Sequence, residues 1–149
     1  MGLGKLDIAT KAIAEKGLKI THQRIVVFQA IMGTDKHPTA EQIFDLIKEK
    51  NPSISLATVY KTLETFVENK LINKVSTPQG TMRYDPRIDN HNHIYISNTN
   101  EIMDYDDDEL NEILRKYLTK RKFNNLNITD FKLQIKGEKI NPKKGISIT

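Results

Sequence analysis

Five side chains able to ligate a metal are spread over both halves of this 149-residue chain, and they constrain how the halves can be arranged. They are His37, Asp85, His91, His93 and Asp104. His91 and His93 stand two residues apart, so in a strand both imidazoles project from one face and can reach one ion. A metal bound by all five would fix a helical N-terminal half relative to a mixed C-terminal half. The sequence therefore predicts a metal-controlled switch.

Composition narrows the protein class. With 149 residues and 38% hydrophobic residues, the chain suits two small domains, each with a modest core. The absence of cysteine excludes disulfides, thiolate zinc sites and thiol-based redox sensing, so nitrogen and oxygen must hold any metal. The run Ile25–Phe28 is too short to span a membrane, and the N-terminus lacks a signal-peptide pattern. We therefore expect a soluble, cytoplasmic protein.

The net positive charge of the chain lies in its first half. Up to Arg83 there are 12 Lys and Arg against 8 Asp and Glu, whereas from Asp85 onward the count is 11 against 11. A basic first half suggests a polyanionic partner, but on charge alone a solvated basic surface is the better explanation.

The first half predicts four helices with recognisable ends. They run from Asp7 to Lys16 before Gly17, from a Thr21 cap to Gly33, from a capping box at Thr39–Gln42, and from a Ser55 cap through Leu56 to Val67. The last helix has an apolar stripe and an opposite face of short polar side chains with Lys61. Because it follows a short helix and a turn, we interpret it as the second helix of a helix-turn-helix.

A hairpin follows, and it resembles the wing of a winged helix. Strands are predicted at Leu71–Ser76 and Thr81–Tyr84, joined by a type I turn over residues 77–80. The dipeptide Asp85-Pro86 then restricts the backbone and indicates a domain boundary.

The second half alternates strands with a helix. Strands are predicted at His91–Ser97, Asn100–Tyr105 and Ile128–Lys136, with a helix over Asp107–Arg121. This unit would have an open sheet, whose edge favours a homodimer. The predicted fold class is α+β, with an N-terminal winged helix DNA-binding domain and a C-terminal α/β dimerisation domain. The predicted bounds are 1–84 for the winged helix, 85–90 for a hinge, 91–137 for the dimerisation and metal-sensing domain, and 138–149 for a flexible tail.

Five motifs stand between roughly residues 10 and 137: Gly17–Arg24, His37–Ile43, Ser55–Leu63, Arg83–Asp85 and His91-Asn92-His93. Together they resemble the ferric uptake regulator superfamily, and within it the peroxide-sensing regulators.

The resemblance implies a dimeric winged-helix repressor that binds double-stranded DNA at an AT-rich inverted-repeat operator. Its regulatory Fe(II) or Mn(II) would be held by His37, Asp85, His91, His93 and Asp104. Aspartate at Asp104 is the variant associated with peroxide sensing. The resemblance further implies that Fe(II)-dependent oxidation of His37 or His91 releases the metal and then the DNA.

One departure concerns the structural zinc that the family often binds through two Cys-x-x-Cys pairs. Ile96 and Thr99 stand where the first pair is expected, and the chain has no cysteine for the second. A cysteine-ligated structural zinc is therefore excluded. Apolar packing of Ile96, Ile102, Phe131, Leu133 and Ile135 would have to hold this domain instead.

For DNA contact we select Tyr60 and Lys61, with Thr58 and Thr62 as lesser candidates. Lys19 and Arg24 would contact phosphates or the minor groove. Tyr60 could equally pack half-buried beside the helix.

Other residues have simpler interpretations. His22 is expected to lie on the surface, the acids at 106–108 to cap a helix, and Asp89 to be at most an outer partner of a ligand. Lys16, Lys74 and Arg83 are interpreted as background charge.

Three alternatives stay open at this point. The protein could be an iron-, manganese- or zinc-responsive repressor that does not sense peroxide. A site of imidazoles and carboxylates with an open position could also belong to a non-haem iron enzyme, although no substrate pocket is legible. A metal-free winged helix that binds another protein is the third.

Overall fold

The computed structural model describes residues 4–149, which divide into two compact units, the first ending at Asp89 and the second beginning at Asn90. Residues 1–3 of the predicted first domain lie outside the described residues. The hinge at 85–90 and the flexible tail at 138–149 stay predictions.

The N-terminal unit consists of four helices and a hairpin. They are α1 (Lys5–Glu15), α2 (His22–Met32), α3 (Ala40–Ile47), α4 (Leu56–Glu68), β1 (Asn73–Ser76) and β2 (Met82–Asp85). Buried apolar side chains from all four helices form one core, in which the Phe28 and Phe66 rings meet edge to face with centroids 5.8 Å apart. α3 and α4 form the helix-turn-helix, and β1 pairs antiparallel with β2 as the wing.

The helix starts follow the predicted caps. The Thr21 hydroxyl accepts the Arg24 N–H, and the Ser55 hydroxyl accepts the Thr58 N–H. At α3 the capping box is complete, because Thr39 accepts the Gln42 N–H while the Gln42 side chain accepts the Thr39 N–H. These local bonds satisfy donors that each helix start would otherwise leave unpaired.

The wing differs from prediction at its start. β1 begins at Asn73 rather than at Leu71, because Leu71 and Ile72 are buried in the helical core and the Leu71 N–H donates to Phe66 O at the end of α4. The turn is closed as predicted, with the Gly80 N–H donating to Thr77 O at 2.9 Å.

The C-terminal unit contains β3 (Asn92–Ile96), β4 (Glu101–Tyr105), α5 (Asp108–Lys120) and β5 (Gln134–Gly137). The strand order is β4-β3-β5, with β4 antiparallel and β5 parallel to the central β3. Asp107 caps α5 by accepting the Leu110 N–H at 2.9 Å. The predicted capping role of the acids at 106–108 is thus seen at Asp107.

The predicted strand at Ile128–Lys136 is wrong in extent, because only Gln134–Gly137 is a strand. β3 is five residues long and offers only His93–Ile96 as partners, so the earlier residues have no ladder to join. The predicted apolar packing is also uneven. Ile96 and Ile102 are buried, Phe131 and Leu133 are half-buried, and Ile135 is exposed.

Candidate metal centre

The N-terminal unit places His37 beside Asp85. His37 lies in the loop before α3, Asp85 ends β2, and the His37 Nε2 is 3.0 Å from the Asp85 Oδ2. Both side chains are buried. One imidazole and one carboxylate of the predicted ligand set therefore meet within this unit, although 48 positions separate them in the chain.

The loop that carries His37 is held in an unusual backbone conformation. His37 has φ of +52°, a left-handed value that costs a residue with a Cβ atom unless its surroundings impose it. Strand β2 supplies those surroundings, because Arg83 Nη1 donates to His37 O at 3.3 Å and the Tyr84 N–H donates to Pro38 O at 3.0 Å. Three successive residues of β2 thus fasten the loop that presents the imidazole.

Arg83 corrects an expectation. We interpreted it as background charge, but its side chain is buried against the His37 loop. Lys74, by contrast, forms an exposed ion pair with Glu64 at 3.0 Å. Sequence alone could not separate the two bases, since neither carries a motif that marks burial.

The C-terminal unit brings His91, His93 and Asp104 together. His93 pairs with Asp104 in the β3–β4 register, and His91 lies just before β3. The Asp104 Oδ1 is 2.9 Å from His91 Nε2 and 3.4 Å from His93 Nε2. The two imidazoles are buried with ring centroids 4.4 Å apart, so the spacing of two residues places both on one side as predicted.

Asn92, between the two histidines, points its amide to the opposite side and anchors the strand. Its Oδ1 accepts the Leu133 N–H at 3.0 Å, and its Nδ2 donates to the Asn111 Oδ1 at 2.8 Å. The side chain is buried. Both faces of this segment are therefore fixed, and the imidazoles have little freedom to turn away from Asp104.

The chemistry of these donors suits a divalent transition metal. Imidazole nitrogens and carboxylate oxygens, one of each in the N-terminal unit and two imidazoles with one carboxylate in the C-terminal unit, match the preferences of Fe(II), Mn(II) and Zn(II). In the C-terminal unit the ligand atoms of His91, His93 and Asp104 lie within 4.8 Å of one another. The residues present therefore fit a metal of this class.

His22 and Asp89, which we did not select as ligands, form polar contacts with other residues. His22 is exposed, with its Nε2 3.0 Å from the Asn51 Oδ1. Asp89 forms an ion pair with Arg87 at 2.7 Å.

Most side chains predicted to contact DNA lie on the surface of the N-terminal unit. Lys61 and Lys19 are exposed, and Arg24 Nη1 donates to Lys19 O at 2.7 Å. Thr58 is half-buried, with its hydroxyl 2.9 Å from the Ser55 hydroxyl. Thr62 does not share this exposure. It is buried, and its hydroxyl donates to Thr58 O at 2.7 Å, so we leave it out of the DNA surface considered below.

Tyr60 has a partner that sequence reasoning missed. Its side chain is 41% exposed, and its hydroxyl donates to a carboxylate oxygen of Glu41 in the first turn of α3. This bond holds the pKa of Glu41 below its ordinary value and raises the pKa of Tyr60. No sequence pattern links two residues 19 positions apart on different helices.

Comparison with known proteins agrees with this architecture. A profile of the Ferric uptake regulator family matches residues 15–135. The peroxide-responsive repressor PerR of Staphylococcus aureus (strain Mu50 / ATCC 700699) is 29% identical over 111 residues, which are 74% of this chain and 75% of that protein.

Solved structures share the fold. The ferric uptake regulator Fur of Helicobacter pylori, described as having three functional metal binding sites, has a TM-score of 0.77 at 20% identity, covering 96% of this chain and 94% of that one. The ferric uptake regulator of Pseudomonas aeruginosa, solved with manganese, has a TM-score of 0.72 at 21% identity, covering 90% and 99%. These similarities confirm the predicted fold class.

Within residues 4–149 no helix is long and apolar enough to cross a membrane. The profile match spans most of the chain, from the end of α1 to β5. The predicted resemblance is thereby confirmed, and the chain belongs to the ferric uptake regulator family, whose members are metal-responsive transcriptional regulators and not enzymes.

Proposed function

We propose that this chain is a dimeric repressor that senses hydrogen peroxide through oxidation of a metal-ligand histidine. The observation that carries the proposal is the Asp104 carboxylate against two buried imidazoles, 2.9 Å from His91 Nε2 and 3.4 Å from His93 Nε2. The similarity to a peroxide-responsive repressor supports this proposal. Aspartate at this position is also the variant that the family resemblance associates with peroxide sensing.

The proposed regulatory site uses one set of ligands from each unit. His37 and Asp85 come from the first unit, and His91, His93 and Asp104 from the second. If each ligand binds through one atom, five donors leave one position open on a six-coordinate ion. A shared ion would hold the DNA-binding unit in a fixed pose. Fe(II) or Mn(II) is the proposed occupant, and availability in the cell would decide between them.

Oxidation would act through the loss of a ligand. When bound, Fe(II) would supply the electron that starts reduction of hydrogen peroxide. Overall, one peroxide oxygen would be inserted into a C–H bond of a ligand imidazole and the other would leave as water. His91 and His37 each hold a carboxylate partner through Nε2, at 2.9 Å and 3.0 Å. An oxygen added to either ring would remove a good nitrogen donor from the site. The remaining ligands would hold the metal more weakly, and the two units would move independently.

The proposed DNA surface includes the outward side chains of α4. Tyr60 and Lys61 would contact base edges, with Thr58 beside them, while Lys19 and Arg24 would contact phosphates or the minor groove. An AT-rich inverted repeat is the proposed operator, because a dimer reads two equivalent half-sites.

The C-terminal unit offers surface for a homodimer. Along α5, Ile113 is 56% exposed and Tyr117 is 51% exposed, and no residue of this helix is buried within the described chain. The sheet also has two edge strands, β4 and β5. A second copy would cover such apolar and unpaired surface.

Dimerisation would make metal binding matter for DNA affinity. Two DNA-binding units held in one pose bind their half-sites together. When the units move freely, the effective concentration of the second unit at its half-site falls. A coupling of about 1 to 3 kcal/mol is typical and would change affinity about 5- to 150-fold.

The test compares Mn(II)- and Fe(II)-loaded protein on a duplex selected by the Mn(II) form, before and after hydrogen peroxide. We expect only the Fe(II) form to lose binding, with one oxygen gained on the peptide of His37 or His91. The peptide containing exposed His22 serves as the internal control and should stay unmodified. Equal resistance of both forms would instead indicate an iron-, manganese- or zinc-responsive repressor without peroxide sensing.

A further inference from the structure

We propose that Glu41 is a positioning residue for DNA recognition, because its carboxylate accepts the Tyr60 hydroxyl and so fixes the ring on the outward side of α4. The inference rests on the proposed function, in which Tyr60 contacts DNA. It adds a residue of α3 to the base-contacting part of the proposed surface, which is otherwise assigned to α4.

Glu41 is itself held in place. It lies in the first turn of α3, two residues after Thr39, whose capping box with Gln42 fixes that turn. α3 packs on the common core through Ala40 and Ile43, both buried. An anchored helix start therefore presents the carboxylate, and Tyr60 receives a fixed partner rather than a mobile one.

Tyr60 needs such a partner because packing alone does not fix its ring. The side chain is 41% exposed. It also lines an open groove of about 380 Å³ together with Glu41, Glu64, Met82 and Tyr84. A tyrosine beside free space can populate several rotamers. If DNA contact requires only one of them, fixing the ring on binding costs affinity. The bond to Glu41 selects one rotamer before DNA arrives.

The negative charge of Glu41 favours specificity over general affinity. A carboxylate near a DNA-binding surface repels phosphates, which weakens binding to any sequence alike. On a matched sequence, the ordered Tyr60 ring offsets this cost through base contact, whereas on other sequences the repulsion has no compensation. The pair should therefore change the ratio of the two affinities.

A purely structural role for Glu41 makes a different prediction. An acid in the first turn of a helix interacts favourably with the helix dipole, so its loss could simply destabilise α3. Asp at position 41 retains that charge but is one methylene too short to reach Tyr60. Gln retains the length and an oxygen that accepts a hydrogen bond but loses the charge. These two variants separate positioning from helix stabilisation.

The experiment uses the full-length Mn(II)-loaded protein. The probes are the tightest duplex that the wild-type protein recovers from a random-sequence library and a scrambled duplex of the same composition. The measured quantity is the selectivity ratio, the dissociation constant for the scrambled duplex divided by that for the selected duplex. Glu64→Ala is the matched control, because it removes an acid that bonds Lys74 one helical turn beyond Tyr60.

We expect Glu41→Ala, Glu41→Asp and Tyr60→Phe each to lower the ratio by about 5- to 20-fold, and the double variant Glu41→Ala/Tyr60→Phe to lower it no further. Glu41→Gln should keep most of the selectivity, and Glu64→Ala should stay within about twofold of wild type. Melting temperatures identify variants that unfold, and if Glu41→Ala does, the Asp and Gln variants decide the result.

Two outcomes would overturn the inference for different reasons. If the wild-type protein recovers no preferred duplex in Mn(II), the proposed function fails and the inference falls with it. If the wild type is selective and Glu41→Asp is equally selective, only the role of Glu41 is wrong. Additive losses in the double variant would also refute positioning, because they would show that the two residues act separately.

Discussion

The side-chain amide of Asn98 is hydrogen-bonded to both backbone groups of Lys139. Asn98 Nδ2 donates to Lys139 O at 3.0 Å, and the Lys139 N–H donates to Asn98 Oδ1 at 3.0 Å. Close by, the Ser97 N–H donates to Gly137 O at 2.9 Å, and Lys139 Nζ forms an ion pair with Glu101 at 2.9 Å. We call these contacts the 98–139 clasp, and they fasten the end of β5 to the β3–β4 turn.

The clasp lies where the family often places a structural zinc. The first cysteine pair would be expected at Ile96 and Thr99, on either side of Asn98. Hydrogen bonds between the same segment and the end of β5 can supply the cross-link without metal. We had expected apolar packing to perform this task, and the structure adds a polar contribution that sequence did not reveal.

Asn98→Ala should therefore loosen β5. Loss of two hydrogen bonds at a partly exposed site should cost about 1 to 2 kcal/mol. Hydrogen exchange of the amides at 134–137 should speed up accordingly. The control is Asn127→Ala in an exposed loop. Equal exchange in the two variants would show that the clasp contributes nothing.

The cap of α5 predicts a pH dependence. The Tyr105 hydroxyl donates to Asp107 at 2.6 Å and, with the Leu110 N–H, holds the Asp107 pKa below its ordinary value. Because the folded pKa is lowered, the stabilisation is present above the unfolded pKa of about 3.9 and is lost as pH falls through the folded value. Wild type should thus exceed Asp107→Asn in stability at pH 7, and the difference should vanish in acid.

Unfolding free energies of both proteins between pH 7 and about pH 3 would check this. Tyr105→Phe is the informative control, since removing the main donor should bring the Asp107 pKa back toward its ordinary value. A wild-type advantage that stays constant down to the lowest pH would refute the assignment.

Arg83 should matter for metal binding although it is not a proposed ligand. Its guanidinium is buried and donates to His37 O, so Arg83→Met should free the loop that presents His37. Partners that orient ligands typically change metal affinity about 10- to 100-fold. Titration with Mn(II) measures this directly. Lys36→Met removes an exposed base from the same loop, and equal affinities of the two variants would disprove the role of Arg83.

The predictable parts of this fold are those that neighbours in sequence determine. Thr21, Thr39, Ser55 and Asp107 cap helices because their bonds reach only three residues along the chain. The spacing of His91 and His93 likewise places their rings on one side once the segment is extended, as it is here.

The parts that sequence could not give depend on distant partners. The bond between Glu41 and Tyr60 spans 19 residues, and the one between Asn98 and Lys139 spans 41. Burial of Arg83 requires the His37 loop to fold over β2, 46 residues away in sequence. The length of β5 is limited by its partner β3, so the alternating sequence pattern predicted a longer strand than the structure contains. In each case the deciding contact is tertiary.

Asp104 provides the sharpest test of peroxide sensing. Its carboxylate lies across the β3–β4 ladder from His93, with Oδ1 2.9 Å from His91 Nε2. Asp104→Glu adds one methylene, which moves the carboxylate relative to both imidazoles while keeping its charge and ligand chemistry. We expect the variant to retain Mn(II)-dependent DNA binding and to lose the sensitivity of its Fe(II) form to peroxide, measured as loss of binding and oxygen gain on the His37 and His91 peptides.

Asp104→Asn completes the comparison, because it retains the length but removes the negative charge. A neutral amide is a weaker ligand for a divalent cation, so this variant should need more Mn(II) to bind DNA. If Asp104→Glu were oxidised as readily as wild type, the identity of this carboxylate would not determine the response. Sensitivity would then have to come from the imidazoles and the open coordination position alone, and Asp104 would be only a charge that helps to hold the metal.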